Sequence, residues 1–337
     1  MLYHAFITQR RLVYRSWTRC TTVHLSQCRY QSSAATIQQE KTRSNLNVID
    51  FYHASLSSSP HHYAFKLGVS GYPKKGKVIE PITQDDAIYT SVQVGDDAYF
   101  QRRDALGVAD GVGGWRKHAG ANPALYSRKL MHYAQLELDR IKSNVRPYNV
   151  PQNHPDPIQV LENAYHLTSL DAQNEVRFQM ITRGIVGSTT ACIITLCQDE
   201  LRIANLGDCG VSIIRCNDYI FRSEEQQHSF NFPYQLGTAS FDSPADAQRF
   251  TVKIEEGDII ILGSDGLFDN LYDEEILEEL IQTNNNHTAT IGCAPQKISD
   301  ALALRAKLGG KADDISVLVA VISRDECPPE PSPPPLP

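Results

Sequence analysis

Short apolar runs, rich in β-branched and aromatic residues, recur along the chain with polar turns between them. They fall at Ala64–Val69, Ala87–Val94, Ala98–Phe100, Ala105–Ala109, Thr189–Leu196, Leu201–Asn205, Val211–Arg215, Phe250–Ile254, Ile259–Leu262 and Ile315–Ile322. Gly-Asp, Asp-Glu and Asn-Asp pairs join many of them, which predicts antiparallel strands. A helical period takes over at Pro123–Ile141, where Leu130, Tyr133, Ala134, Leu136 and Ile141 repeat every three or four residues. The same period predicts helices over Ile158–Phe178, Asp273–Ile281 and Pro295–Lys307. The helices are grouped between runs of strands rather than alternating with them. The expected fold is therefore α+β, with two antiparallel sheets and helices outside. No stretch approaches the 18 apolar residues of a membrane-spanning helix.

The two ends differ from this body. Residues 1–39 hold Arg10, Arg11, Arg15, Arg19 and Arg29 but no Asp, Glu or Lys. On a helix, Leu2, Tyr3, Phe6, Ile7, Val13, Tyr14 and Trp17 share one side, and Arg11, Arg15 and Arg19 share another. An Arg-rich, Ser-rich, acid-free amphipathic start has the pattern of a mitochondrial transit peptide. The arginines interrupt any apolar core long enough for a secretory signal. Ser, Gln and Asn then predominate, so residues 1–60 are expected to be transit peptide and linker, and residues 61–325 the folded domain. Seven of the last ten residues are proline, which predicts an extended polyproline segment over 326–337.

Composition narrows the class. Hydrophobic residues make up 41% and charged residues 21%, which excludes collagen-like and wholly disordered chains. The formal net charge of −7 argues against a nucleic-acid binder, which needs a basic surface to displace counterions. Setting the five leader arginines aside makes the body more acidic still. The eight cysteines form no CxxC pair, so neither a zinc ribbon nor a disulfide framework is expected.

The acids of the body gather at predicted strand ends. One apolar run ends in Asp110-Gly111, within GVADGVGGW, and another ends in Asp265-Gly266, within DIIILGSDGLFDN. Asp96-Asp97 precedes the run at Ala98. Asp208 follows the run from Leu201, and Asp313-Asp314 opens the last one. A strand end holds a carboxylate rigidly, and Mg²⁺ or Mn²⁺ prefers oxygen ligands. Glycine beside the acid allows close approach of the main chain. Two apparent phosphate loops fail. GYPKKGKV ends in Val78 where Ser or Thr is needed, and the glycines after Asp110 do not make G-x-G-x-x-G.

In this order, Asp-Asp-Ala, VADGVGGW, GSTT, NLGD, SDGLFD and DDISV resemble the metal-dependent protein phosphatase family of the 2C type, from about Ala64 to Ile322. Trp115, the stretch Ser223–His228 and the leader resemble its mitochondrial branch. The resemblance implies a four-layer α-β-β-α sandwich and a protein serine/threonine phosphatase that uses two Mn²⁺ or Mg²⁺ ions. It implies that Asp110 bridges both ions and that the Gly111 carbonyl, Asp265, Asp313 and Asp96 complete the ligand set. It further implies a supporting acid at Asp97 and a weaker third metal at Asp208. Asp104 and Asp269 stand outside the pattern.

Two positions depart from the family. Val112 replaces the His that often follows the first Asp-Gly, and Val92 replaces an Arg that grips the substrate phosphate. Arg102, Arg103 and Arg116 are the candidate substitutes. The reading is a hydrolase of phosphoserine and phosphothreonine in proteins, located in the mitochondrial matrix. Its expected partners are phosphoproteins rather than nucleic acid, with no transmembrane segment and a monomeric state. The alternative is a catalytically weak pseudophosphatase that binds phosphoproteins.

Overall fold

The alternation of side chains along each strand decides the layering. In the last strand Leu318, Ala320 and Ile322 enter one apolar cluster, while Val317, Val319 and Val321 enter another on the opposite face. A strand buried on both faces belongs to the middle of a layered fold. The computed structural model describes residues 63–75, 88–118, 120–143, 154–178, 186–285 and 294–324. The chain divides into two units, Met1–Ser55 and Leu56–Pro337. The first unit, with the expected leader helix, lies outside the described residues, as does the proline-rich tail.

Eleven strands build two antiparallel sheets. In chain order they are β1 (Tyr63–Tyr72), β2 (Val92–Val94), β3 (Asp97–Gln101), β4 (Ala105–Ala109), β5 (Ala191–Cys197) and β6 (Glu200–Leu206). They continue as β7 (Gly210–Arg215), β8 (Asp218–Arg222), β9 (Gln248–Lys253), β10 (Ile259–Gly263) and β11 (Ile315–Arg324). One sheet has the order β1-β11-β10-β7-β8, the other β9-β6-β5-β4-β3-β2. Leu106, Val108, Ile194 and Ile203 of the second sheet meet Val211, Ile260, Leu262 and Leu318 of the first in a shared core.

The helices are α1 (Pro123–Ser143), α2 (Pro157–Phe178), the single turn α3 (Asp265–Phe268), α4 (Asp273–Asn285) and α5 (Pro295–Lys307). Leu130, Met131 and Ala134 of α1 and Val160 and Leu161 of α2 cover the outer face of the six-stranded sheet at Phe100, Ala109 and Ile193. Ile276 and Leu280 of α4 and Ile298 and Leu302 of α5 cover the outer face of the other sheet. The four-layer α-β-β-α sandwich follows. Each fully buried aliphatic side chain contributes roughly 1.5–3 kcal/mol relative to exposure.

Three expectations need correction. The strand expected over Ala87–Val94 is only Val92–Val94, with Ile88 exposed ahead of it and Ala87 outside the described residues. Leu136 is exposed rather than on the apolar face. Six residues beyond Leu130, at about 100° each, it has turned to the far side of the helix. The strand β8 had no counterpart in the sequence reading, because as an edge strand none of its residues is buried. Among the described cysteines, Cys192, Cys197 and Cys209 are buried free thiols and Cys216 is an exposed one. No described helix is long and apolar enough to cross a membrane.

Candidate functional site

Strand direction collects the acids. β4 ends at Ala109 just before Asp110, while β3, paired to it through Ala98↔Ala109, begins just after Asp96. β6 ends shortly before Asp208, and Leu206 pairs with Ala191, the first residue of β5. In the other sheet Gly263, two residues before Asp265, faces both Gly210 and Val317. Asp96, Asp97, Asp110, Asp208, Asp265, Asp313 and Asp314 therefore gather at one end of the sandwich.

The main chain there is tightly fixed. The Asp110 carbonyl accepts the Thr190 N–H at 2.9 Å and the Thr189 hydroxyl at 2.7 Å. A Cβ at Gly111 would come within 2.5 Å of the Asp96 carbonyl oxygen and 2.8 Å of that of Pro123, so only glycine fits. Gly95 turns the chain into β3 with φ +66°, and a Cβ there would strike the Asp314 carboxylate. The Asp96 N–H donates to Asp314 Oδ2 at 2.9 Å, and its carbonyl accepts the Ser127 hydroxyl at 2.5 Å. Asp314 thus braces the Asp96 turn, while Asp313 faces the cations Lys74 and Lys311, each 3.5 Å away.

Lys311 was not anticipated. Its ammonium donates to Asp265 Oδ2 at 2.5 Å and also to Asp269. Asp269, expected outside the pattern, therefore shares a cation with a proposed ligand. Asp104 does stay apart, held by Arg102 at 2.8 Å and by Lys142 at 3.2 Å. On Asp96 the cation is Arg116, whose Nε donates to Oδ2 at 2.9 Å and whose Nη2 donates to Oδ1. Arg116 lies on the 3-10 turn Gly113–Lys117. Beside this turn opens a cavity of about 290 Å³ whose walls include Val112, Trp115, His118, Phe232, Gln235 and Phe241.

The crowding of acids is costly. Both Asp97 oxygens lack a well-formed hydrogen bond, as do Asp208 Oδ1 and Asp265 Oδ1. Burial, and then Asp314, hold the Asp97 carboxyl far above the usual range, tempered only by the nearby Ser264 and Ser316 hydroxyls. Asp110 keeps some solvent contact, yet burial and then Asp97, Asp265 and Asp208 push it far up as well. Burial followed by Asp265 pushes Asp208 up to about 7. Asp265 is raised by burial even though Lys311 opposes the shift. Burial alone would lower Lys311, but Asp265 and Asp269 more than reverse this.

Such a cluster calls for positive charge. Carboxylates and a main-chain carbonyl, several with unpartnered oxygens, are the donor chemistry of a hard divalent cation. Among the described residues no three acidic, His or Cys side chains form a ready-made cation cage. Lys311 and Arg116 engage the oxygens of Asp265, Asp313 and Asp96. The donor set fits Mn²⁺ or Mg²⁺ once those side chains turn aside.

Comparison with known proteins decides the family. The profile for Stage II sporulation protein E (SpoIIE) matches residues 134–323. Protein phosphatase PTC7 homolog fig of Drosophila willistoni is 30% identical over 330 residues, which span 87% of this chain and 98% of that protein. The chain belongs to the protein phosphatase 2C family. Probable protein phosphatase 2C 80 of Arabidopsis thaliana is 36% identical over 251 residues, 68% of this chain and 55% of that one. The chain thus spans about half the length of its plant relatives. The X-ray structure of the photosystem II phosphatase PBCP superposes with a TM-score of 0.57 at 28% identity, over 77% of this chain and 99% of that one.

Proposed function

We propose that this protein is a metal-dependent protein serine/threonine phosphatase. Family membership supports the reading, and the observation that carries it is the set of raised, partly unpartnered carboxylates at one end of the sandwich. Asp110 and the Gly111 carbonyl, with Asp265, Asp313 and Asp96, would hold two Mn²⁺ or Mg²⁺ ions. Such ions lower the pKa of a bound water and neutralise phosphoryl oxygens. The chain itself orients: Thr189 and Thr190 pin the Asp110 main chain, and Asp314 pins the Asp96 turn. Asp97 would serve as a supporting acid and Asp208 would hold a weaker third ion, each giving up its proton as the cations bind. No side-chain nucleophile is required.

The test is release of inorganic phosphate from phosphoserine and phosphothreonine peptides by the purified chain. Hydrolysis in Mn²⁺ that EDTA abolishes supports the enzyme. Tight peptide binding with no release would support the pseudophosphatase instead. We infer a mitochondrial address from the acid-free arginine leader at residues 1–39. A fluorescent reporter fused behind that segment should enter mitochondria, and Arg11→Glu, Arg15→Glu and Arg19→Glu together should leave it in the cytosol. Diffuse fluorescence with the unaltered leader would overturn the address.

A further inference from the structure

We propose that Arg116 grips the substrate phosphate, filling the role left open by Val92; this rests on the phosphatase reading. Val92 lies exposed on the edge strand β2 and brings no charge. Three arginines could substitute, and strand geometry separates them. Arg102 and Arg103 occupy the turn joining the end of β3 to the start of β4. That turn is a whole five-residue strand away from the acids, about 16 Å at the usual rise. Arg102 is also largely buried and committed to Asp104 and Asp139.

Arg116 stands at the acidic end instead. Its guanidinium presents Nε and Nη2 side by side to the two oxygens of Asp96. A phosphate offers the same two-point acceptor edge, so one planar fork fits either partner. The Arg116 side chain is half exposed while that of Asp96 is buried, so an incoming phosphate ester meets the arginine from the solvent side. The turn that carries it is firmly held. Trp115 Nε1 donates to the Ser188 hydroxyl at 2.5 Å, Ser188 donates onward to Gln235, and the Val112 N–H donates to the Ser188 carbonyl at 2.9 Å. An ion held by Asp96 would take up the oxygens that Arg116 now engages, leaving the guanidinium to take a phosphate in place of the carboxylate.

The test uses the full chain with Mn²⁺, comparing wild type, Arg116→Ala, Arg116→Lys and, as a control at the far end, Arg103→Ala. Three quantities are read: KM against kcat on a chromogenic phosphate ester, inorganic phosphate binding by calorimetry, and the Mn²⁺ concentration needed to raise the melting temperature. Arg116→Ala should weaken phosphate binding and raise KM by about tenfold or more, with a smaller change in kcat. Its Mn²⁺ requirement should be unchanged or lower, since a competitor for Asp96 is gone. Arg116→Lys keeps the charge, loses the fork and should fall between; it also guards against misfolding of the alanine variant. Arg103→Ala should match wild type. Unaltered phosphate binding in Arg116→Ala, with a raised Mn²⁺ requirement, would mean that Arg116 only steadies Asp96, and would overturn the proposal. So would a Mn²⁺-loaded wild type that binds no phosphate. A wild type that binds phosphate through Arg116 yet hydrolyses no ester would leave the proposal standing and remove the phosphatase reading.

Discussion

Replacing Asp208 by Asn should stabilise the protein in EDTA, and should do so chiefly at neutral to alkaline pH. Asp208 has an unpartnered Oδ1, and burial followed by Asp265 pushes its carboxyl from 3.8 up to about 7. A raised carboxyl means that the folded protein binds more protons than the unfolded chain between those two values. The corresponding stability is complete below the unfolded value and is lost as pH rises through the folded one. At pH 8 the full burden applies, which at 1.36 kcal/mol per unit amounts to about 4 kcal/mol. The side chain keeps some contact with solvent, and screening reduces the figure to about 2 kcal/mol. For a domain of this size that is a rise in Tm of about 4–8 °C. By pH 4.5 the gain should shrink to about a quarter, because the wild-type acid is then protonated in the fold. Thermal melts followed by circular dichroism, in EDTA at both pH values, provide the assay. A variant that melts no higher than wild type at pH 8, or that gains equally at pH 4.5, would refute the reasoning.

Gly111→Ala should lower Tm by several degrees and weaken the Mn²⁺-induced rise in Tm, since overpacking against two carbonyls costs about 1–3 kcal/mol; an unchanged melt would contradict the close approach at that residue. His132 Nδ1 accepts the Thr90 N–H at 3.1 Å, and burial lowers its pKa despite Asp171, so the fold requires the neutral ring. The unfolded chain then binds the extra proton, so this stability is present above about 6.5 and lost as pH falls through the lower folded value. With Mn²⁺ present, the urea midpoint of wild type should fall more between pH 7.5 and 5 than that of His132→Asn. Equal slopes would show that His132 does not carry this acid sensitivity.

The strand-end acids were legible in sequence because each lies within three residues of an apolar run, and short apolar runs bounded by turn residues read as strands. Their convergence follows from antiparallel pairing, which returns every second strand end to the same edge. Lys311 escaped notice, and Asp269 was set outside the pattern, for the opposite reason. Their contact spans 42 residues and belongs to no local pattern. Arg116 could be named but not chosen over Arg102 and Arg103, because three nearby arginines differ only in which end of β3 and β4 they occupy. The edge strand β8 was missed because Asp218–Arg222 presents no buried face to betray it. The stretch at 88–91 misled for a related reason, since Ile88 and Tyr89 continue the apolar pattern toward β2 without belonging to a strand.

Asp110 is the residue on which the account turns. It lies between Asp97, Asp208 and Asp265, and its carboxyl is among the most strongly perturbed of the cluster. The most direct measurement is turnover of a phosphoserine peptide by Asp110→Asn in saturating Mn²⁺, alongside its melting temperature with and without the metal. The variant should show no measurable turnover, should melt no lower than wild type in EDTA, and should lack the Mn²⁺-induced rise that ligand linkage gives the wild type. Near wild-type hydrolysis by Asp110→Asn would contradict both the two-ion site and the assignment of its ligands.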